Sequence, residues 1–295
     1  MKKFRIIVTD SGLGGLSVHA LLDKYLRSLK SIPDVEIIFF NSVAEHNLGY
    51  NVMKTESRKL KVFNNALASM LSFNPDIILI ACNTLSVLYS GTQISKSPSI
   101  PIISIIDLGV EMILESISQN TKERIIIFGT DTTIKSNKHK LQLIESNVKE
   151  NKIIIKACKD LESEIQINSN SKRVSELIDI CASEALRNIT DDVESLIVVL
   201  ACTHYGYSLP LFQKNLSKKF KGKIKILNPN EKMGSSIEIG NTNSSSPTIT
   251  NKVISRVDIS KEEMGSIGLL LKKDSQSVAE ALENYILDVN LFEVD

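Results

Sequence analysis

Short apolar segments rich in β-branched residues recur along the chain, and stretches with a helical spacing of apolar positions separate them. The apolar segments lie at 5–9, 36–40, 76–81, 100–106, 124–128, 152–157, 195–201 and 223–227. The helix-like stretches lie at 15–30, 53–73, 107–119, 135–149, 171–189, 209–220 and 277–288. Short continuous apolar runs are typical of parallel strands that are covered on both faces. The alternation therefore predicts an α/β fold with mainly parallel sheets.

Residues 228–251 interrupt this alternation. They contain the segment GNTNSSSPT, which is polar, built from small residues and rich in turn formers. Such a composition favours an exposed loop over a packed element. We therefore predict a loop between the last apolar segment and the C-terminal helix-like stretch.

The pattern matches itself at an offset of 120 residues. RIIVTDS at 5–11 falls on IIIFGTD at 125–131, and ILIACNT at 78–84 falls on VVLACTH at 198–204. Two matches at a single offset, each at the end of a predicted strand, indicate two related halves. We expect two similar three-layer α/β domains, related by a pseudo-two-fold axis.

This repeat places Cys82 and Cys202 at equivalent strand ends. Ligands of open α/β sheets bind beyond the carboxyl ends of the strands. If the two halves face each other, the two thiols approach one cleft from opposite sides. One thiol would remove a proton from a carbon while the other supplies a proton to the opposite face, which inverts that carbon. Without this pairing, each of the four cysteines would be interpreted as a small buried hydrophobic residue.

Each half also offers a side chain that can assist its thiol. A free cysteine has a pKa of about 8.5 and acts as the thiolate, so a base that works near neutral pH needs a partner. Asp10 ends the strand expected beside that of Cys82, and His204 follows Cys202 by two residues. The alternatives are that Asp10 is a turn or N-cap residue and that His204 belongs to a local hydrogen-bond network.

The segment DSGLGGLS at 10–17 predicts a turn that comes close to a ligand, because its three glycines relax the backbone. A nucleotide-binding loop is the alternative, but GxGxxG would need glycine at Ser17, and no Walker lysine follows. The amides at the N-terminus of the following helix favour an anion, and a carboxylate meets this requirement as well as a phosphate does. In the second half, GTDTTIKS at 129–136 is a comparable hydroxyl-rich turn, whose hydroxyls are either ligand donors or helix caps.

Composition and charge limit the classes of function. The 35 lysines and arginines nearly balance 34 acidic residues, for a net charge of +1, so we expect no nucleic-acid or acidic-membrane partner. The N-terminal apolar run ends at Asp10, too early for a signal peptide, and no segment approaches the roughly 20 apolar residues of a membrane span. The four cysteines form no CxxC pair, so we expect neither a structural zinc site nor any other metal. A cytoplasmic protein with a small-molecule ligand is the expectation.

The segments DSGLGGLS, ACNT, GTDTTIKS and ACTHY, in this order and spacing, resemble the aspartate/glutamate racemase family, and most of all its glutamate racemases. The resemblance implies a cofactor-independent isomerase that interconverts L- and D-glutamate, or aspartate, in peptidoglycan biosynthesis, with two α/β domains, an active site between them and a possible homodimer. It implies a discontinuous first domain of residues 1–98 and 209–295, with residues 99–208 as the second domain. It implies Cys82 and Cys202 as catalytic thiols assisted by Asp10 and His204. The implied substrate contacts are Ser11, Gly49, Asn83, Thr84, Thr130, Thr133 and Thr203.

The surroundings of the thiols depart from the family pattern. Asn41-Ser42 stands where relatives have an aspartate-threonine pair, and the family's Pro-Tyr-Gly loop is not recognisable in 45–51, where only Gly49 can be placed. Glu162, Glu164 and Gln166 compete for one carboxylate position of the family. A binding or regulatory protein on the same scaffold therefore stays open as an alternative, as does a decarboxylase or isomerase that uses one thiol.

Overall fold

The computed structural model describes residues 3–46, 49–118, 122–187, 189–190, 192–240 and 247–294. Strands within these ranges are β1 Phe4–Asp10, β2 Val35–Asn41, β3 Ile77–Ile80, β4 Ile102–Ser104, β5 Glu123–Gly129, β6 Ile153–Ala157, β7 Ser195–Ala201, β8 Lys223–Leu227, β9 Ile249–Ser255 and β10 Ile286–Leu287. The α-helices are α1 Leu16–Ser28, α2 Glu56–Ser72, α3 Asn83–Tyr89, α4 Ile105–Ser116, α5 Asp131–Lys135, α6 Lys138–Glu145, α7 Leu161–Asn168, α8 Lys172–Leu186, α9 Leu209–Lys219, α10 Pro229–Met233, α11 Lys261–Leu271 and α12 Gln276–Glu283. Short 3₁₀ helices are formed by Ile94–Lys96, Glu150–Lys152 and Thr203–Ser208.

Two parallel sheets form the frame of the protein. The larger has the order β10-β9-β2-β1-β3-β4, and the smaller has the order β6-β5-β7-β8. All pairings between the described strands are parallel. The predicted α/β class with mainly parallel sheets is therefore confirmed. Within the described part of the chain, no helix is both long enough and apolar enough for a bilayer span.

Each sheet is covered by helices on both faces, which gives three layers. Alternate residues of β1 enter different cores: Ile6 and Val8 pack on one face, and Ile7 packs on the other. The residues of β5 divide in the same way between the two faces of the smaller sheet. Burial on both faces explains why these strands have no polar alternation, and each fully buried isoleucine contributes about 1.5–3 kcal/mol.

The first four strands of each sheet follow one plan. The order is second, first, third and fourth in both β2-β1-β3-β4 and β6-β5-β7-β8. Cys82 lies just beyond β3 and Cys202 just beyond β7, so the two cysteines occupy equivalent places in the two sheets. The offset found in the sequence thus corresponds to a repeated strand arrangement.

The predicted domain limits do not coincide with the division between the sheets. β4 lies beyond the predicted limit at 98/99 but pairs with β3 of the larger sheet. β8 lies beyond the limit at 208/209 but pairs with β7 of the smaller sheet. The cause is that each sheet continues for one further strand after the strand that carries its cysteine. The chain therefore crosses to the smaller sheet after β4 and returns to the larger sheet between β8 and β9.

The region predicted as a loop at 228–251 is only partly irregular. It contains helix α10 and the start of β9, whereas residues 241–246 lie outside the described residues. β9 escapes the hydrophobic pattern because the polar residues Thr250, Asn251 and Lys252 occupy its middle. Its Asn251 bonds to His19 at 2.8 Å and to Asp23 at 2.7 Å on α1, and Lys252 pairs with Glu36 of β2 at 2.7 Å.

Candidate active site

A cavity of about 630 Å³ lies beyond the carboxyl ends of both sheets. Its wall includes residues that follow or end β1, β2, β3, β5 and β7, together with the segment between β9 and α11. This is the position at which open α/β sheets bind ligands, and the volume suits a small molecule.

The two cysteines singled out from the sequence both line this cavity. Each is only 6% exposed. The Sγ atom of Cys82 lies 3.2 Å from the Ser11 hydroxyl, and the Sγ atom of Cys202 lies 3.9 Å from Nδ1 of His204. Burial raises the pKa of Cys82 to about 12 and raises that of Cys202 well above its usual value. Burial thus favours the neutral thiol at both sulfurs.

Asp10 connects the loop after β1 with the loop that contains Cys202. It ends β1, is 2% exposed, and its carboxylate accepts hydrogen bonds from the Ser11 amide at 2.6 Å and the Thr203 hydroxyl at 2.7 Å. Burial raises the pKa of Asp10 to about 6, while the hydrogen bonds from Thr203 and Cys82 oppose that rise. Asp10 is thus poised to exchange a proton near neutral pH.

His204 stands in the 3₁₀ turn that begins directly after Cys202. Its Nε2 atom lies 2.9 Å from Oε1 of Gln166. Burial lowers the pKa of His204 to about 4, so the imidazole is neutral at physiological pH. The two interpretations of this histidine are compatible, because it faces the thiol and also belongs to a local hydrogen-bond network.

The glycines of the first loop allow the two halves to come into contact. A Cβ atom on Gly14 would lie 2.4 Å from the Thr203 hydroxyl and 2.6 Å from Nδ1 of His204. A Cβ atom on Gly15 would lie 2.7 Å from that of Asp10. The described glycines all avoid the left-handed region, so close approach, rather than an unusual backbone angle, requires glycine here.

The hydroxyl-bearing residues form a group on one wall. The Thr84 hydroxyl lies 3.0 Å from that of Thr130 and 3.5 Å from that of Thr133. Thr84 and Thr130 line the cavity, whereas Thr133 is 1% exposed and lies behind them. Thr130 is also the N-cap of α5, through a bond from the Thr133 amide at 3.4 Å. Both roles considered from the sequence, ligand donor and helix cap, are open to this threonine.

Asn83 is a cavity residue whose whole side-chain amide has unused hydrogen-bonding capacity; Tyr50 and Glu162 each have one such atom. It is 2% exposed, and neither its Oδ1 nor its Nδ2 has a partner among the described residues. The remaining predicted contacts, Ser11, Gly49 and Thr203, also line the cavity. Thr133 is therefore the one predicted site residue that the structure leaves outside the wall.

Asn41 has a structural role. Its Nδ2 donates to the Ser255 hydroxyl at 3.0 Å, and its Oδ1 accepts from the Val43 amide at 3.3 Å. These bonds tie the end of β2 to the end of β9 at the edge of the cavity.

Several wall residues were not singled out from the sequence. They come from the loop after β2, from α7 and from the segment that leads into α11, and include Tyr50, Asn51, Asp258 and Glu263. Of the three residues that competed for a carboxylate position, Glu162 and Gln166 line the cavity and Glu164 does not. For these residues the sequence contains one recognisable motif, Ser260-x-x-Glu263, whose spacing is typical of a capping box. The structure shows that this capping box begins α11.

Comparison with known proteins gives the same family as the motifs do. The sequence model of the Asp/Glu/Hydantoin racemase family matches residues 11–231. A glutamate racemase from Hydrogenobaculum sp. is 31% identical over 234 residues, which cover 77% of this chain and 78% of that protein. A glutamate racemase from Campylobacter jejuni is 30% identical over 229 residues, covering 76% and 80%.

Solved structures share the fold at lower identity. A glutamate racemase isoform from Bacillus anthracis superposes with a TM-score of 0.70 at 18% identity, covering 98% of this chain and 97% of that one. The glutamate racemase of Francisella tularensis in complex with D-glutamate gives a TM-score of 0.69 at 21% identity, covering 94% and 96%. Because the matched region 11–231 spans most of the chain and both cysteine loops, the protein belongs to the Asp/Glu/Hydantoin racemase family.

Proposed function

We propose that this protein is a cofactor-independent racemase that interconverts L- and D-glutamate, with Cys82 and Cys202 as the two bases. The observation that carries the proposal is the placement of the two cysteines at equivalent strand ends of two sheets, in the wall of one cavity. Glutamate is the proposed substrate because the curated relatives at 30–31% identity are glutamate racemases. Aspartate is the second substrate to test, since the family includes both activities by its name.

Each thiol must lose its proton before it can act as a base. Burial opposes this loss, because it raises the pKa of Cys82 to about 12. A bound amino acid brings an ammonium group, and a positive charge nearby lowers the pKa of a thiol. The carboxylate of Asp10 is the proton acceptor that we propose for Cys82, and Nδ1 of His204 is the acceptor that we propose for Cys202.

The proposed reaction moves one proton on each face of the substrate. The thiolate on one side takes the α-proton, and the electron pair left on the α-carbon is delocalised into the α-carboxylate. The neutral thiol on the other side then gives its proton to the opposite face, so that the carbon is inverted. One sulfur has gained a proton and the other has lost one, and the reverse reaction exchanges their roles.

Neutral donors would hold the substrate in this scheme. Among the described residues, the cavity wall contains no lysine or arginine. The unpartnered Asn83 amide can accept from the ammonium group and donate to a carboxylate. The hydroxyls of Ser11, Thr84 and Thr130 are further donors in the same wall. Hydrogen bonds to charged groups contribute about 1.5–3 kcal/mol each, so a few such bonds suffice to bind an amino acid.

The decisive test is a chiral assay in deuterated water with purified protein and no added pyridoxal phosphate. We expect D-glutamate to form from L-glutamate, with one solvent deuterium at the α-carbon. Cys82→Ala and Cys202→Ala should each abolish racemisation, whereas Cys181→Ala, which removes a buried thiol outside the cavity wall, should not. Wild-type turnover in either of the first two variants would exclude the two-thiol mechanism. Ligand binding without exchange of glutamate, aspartate or other amino acids would instead favour a binding or regulatory protein.

A further inference from the structure

A side chain from the C-terminal part of the chain reaches the histidine beside Cys202 through one intermediate. Nε2 of Gln166 donates to Oε1 of Glu263 at 2.5 Å, and Oε1 of Gln166 lies 2.9 Å from Nε2 of His204. Gln166 belongs to α7, packed on the smaller sheet, whereas Glu263 belongs to α11, packed on the larger sheet. The three residues therefore form a bridge across the cleft.

The orientation of the Gln166 amide is fixed by groups on both sides. Its Oε1 accepts a hydrogen bond from the Leu13 amide at 3.0 Å, which only an acceptor can do. Its Nε2 faces the Glu263 carboxylate, which only a donor can satisfy. A reversed amide would place two donors against each other at Leu13 and two acceptors against each other at Glu263.

This orientation determines which nitrogen of His204 carries the proton. Because Oε1 of Gln166 can only accept, the ring must donate from Nε2. A neutral imidazole protonated on Nε2 has a free lone pair on Nδ1. That lone pair is on the side of Cys202, whose Sγ lies 3.9 Å away.

We infer that Glu263 is a positioning residue, which orients Gln166 and thereby holds His204 as the Nε2–H tautomer with Nδ1 available to the Cys202 thiol. The value of this tautomer for catalysis rests on the proposed function, since it makes Nδ1 the acceptor of the Cys202 proton. The tautomer itself does not depend on which substrate is turned over. A residue packed on the larger sheet, Glu263, thus sets the protonation of the histidine beside Cys202, which follows a strand of the smaller sheet.

The substitution Glu263→Gln tests the bridge while keeping the start of α11. Oε2 of Glu263 also accepts from the Ser260 amide at 3.1 Å in the capping box, and glutamine serves in that motif as well. If the new amide keeps its oxygen on Ser260, its nitrogen points at Gln166 and forces that amide to reverse. The capping box and the bridge then compete. Glu262→Gln is the matched control, because it removes the same charge from an exposed neighbour in the same turn.

The reciprocal exchange provides a rescue. Gln166→Glu alone places two carboxylates against each other. Combined with Glu263→Gln, it restores complementarity: the carboxylate at 166 accepts from Leu13 and His204, and the amide at 263 donates to it. If Glu263 contributed only packing, the Gln166→Glu change would not restore the properties of the Glu263→Gln variant.

The readout is the ¹⁵N spectrum of the histidine rings at a pH where they are neutral, with His204 assigned by its loss in His204→Gln. We expect wild type, Glu262→Gln and the double variant to carry the His204 proton on Nε2. We expect Glu263→Gln to shift protonation toward Nδ1 and to lower kcat by about tenfold or more, given that positioned proton transfer contributes about 10²–10⁴-fold. A wild-type His204 protonated on Nδ1, or an unchanged tautomer in a folded Glu263→Gln variant, would overturn the inference. The wild-type spectrum needs no variant, and it is informative even if glutamate is not the substrate.

Discussion

Thr203 donates a hydrogen bond of 2.7 Å to Asp10, and this bond joins the loop after β7 to the end of β1. Thr203 is the residue after Cys202, while the Cys82 thiol lies close enough to Asp10 to lower the pKa of its carboxyl. The proton acceptor proposed for one thiol is therefore held by the neighbour of the other. A substitution at Thr203 or at Asp10 should therefore affect the surroundings of both thiols.

Thr203→Val removes this bond with little change of shape. The bond opposes the rise in the Asp10 pKa that burial causes, so its loss should raise that pKa above about 6. Because the proposed mechanism needs the carboxylate, the acidic limb of the kcat/KM profile should move to higher pH. The unfolding free energy should fall by about 1.5–3 kcal/mol, the contribution of one hydrogen bond to a charged group. Thr203→Ser keeps the hydroxyl and should keep the wild-type profile, and an unmoved acidic limb in the valine variant would contradict this role.

Gly14→Ala should disrupt the contact between the halves. Its Cβ would lie 2.4 Å from the Thr203 hydroxyl and 2.8 Å from the backbone nitrogen of His204, so the loops must separate. Overpacking of this kind costs about 1–3 kcal/mol, and a displacement of about 1 Å at a reacting group can cost about 10²-fold in rate. Denaturant unfolding and kcat measure the two effects.

Gly265→Ala is the matched control for that substitution. Gly265 lies in α11, and a Cβ there would meet nothing within 4 Å. Alanine is a better helix former than glycine, so this variant should gain about 0.5–1 kcal/mol with unchanged kcat. If both variants behaved alike, the close approach at Gly14 would not be the cause of its effect.

Asn83→Ala should separate binding from stability. The Asn83 amide is buried and has no hydrogen-bond partner in the part of the chain that the structure describes, so its removal should cost little or no unfolding free energy. If it contacts the charged groups of the substrate, KM should rise by roughly tenfold to a hundredfold, the equivalent of about 1.5–3 kcal/mol. Ser86→Ala, on the same helix, removes a hydroxyl that donates to the Ile80 carbonyl at 3.3 Å outside the cavity wall. That variant should lose stability and keep its KM, and an N83A variant with lower stability and normal KM would assign Asn83 to the fold instead.

The positions of the thiols could be predicted because they depend on local pattern. A strand of apolar residues followed by Cys82 or Cys202 fixes both cysteines at strand ends, and parallel sheets collect such ends at one edge. The bridge to His204 could not be predicted in this way. Gln166 is 153 residues from Leu13 and 97 from Glu263 in the sequence, and no periodicity reports contacts over such distances.

The edge of the larger sheet escaped prediction for a different reason. The middle of β9 contains Thr250, Asn251 and Lys252, and the last two make polar contacts with α1 and β2. The apolar part of the strand is therefore too short to be recognised as a hydrophobic strand. The sequence marks β4 and β8 as apolar segments but does not show which sheet each joins, so the division between the sheets follows only from their pairings and the domain limits stay a prediction.

His139 allows a prediction about acid stability that is separate from catalysis. It lies on α6, is 3% exposed and is not part of the cavity wall. Burial lowers its pKa from 6.5 to about 4, and its Nε2 has no partner among the described residues. Between pH 6.5 and about pH 4, His139 is protonated in the unfolded chain but neutral in the folded protein. Stability is therefore lost as the pH falls through that window.

His139→Leu should weaken this acid sensitivity. At pH 7 the variant should be as stable as wild type or more so, because an apolar side chain replaces a buried nitrogen without a partner. A shift from 6.5 to about 4 corresponds to about 3 kcal/mol, which the variant should retain at pH 4. His19 and His204 also have a pKa lowered to about 4 by burial, so acid sensitivity should decrease without disappearing. Urea unfolding at several pH values measures the difference in slope, expected to be about 1.4 kcal/mol per pH unit near pH 5. Parallel curves for the two proteins would mean that His139 is protonated, and solvated, in the folded state.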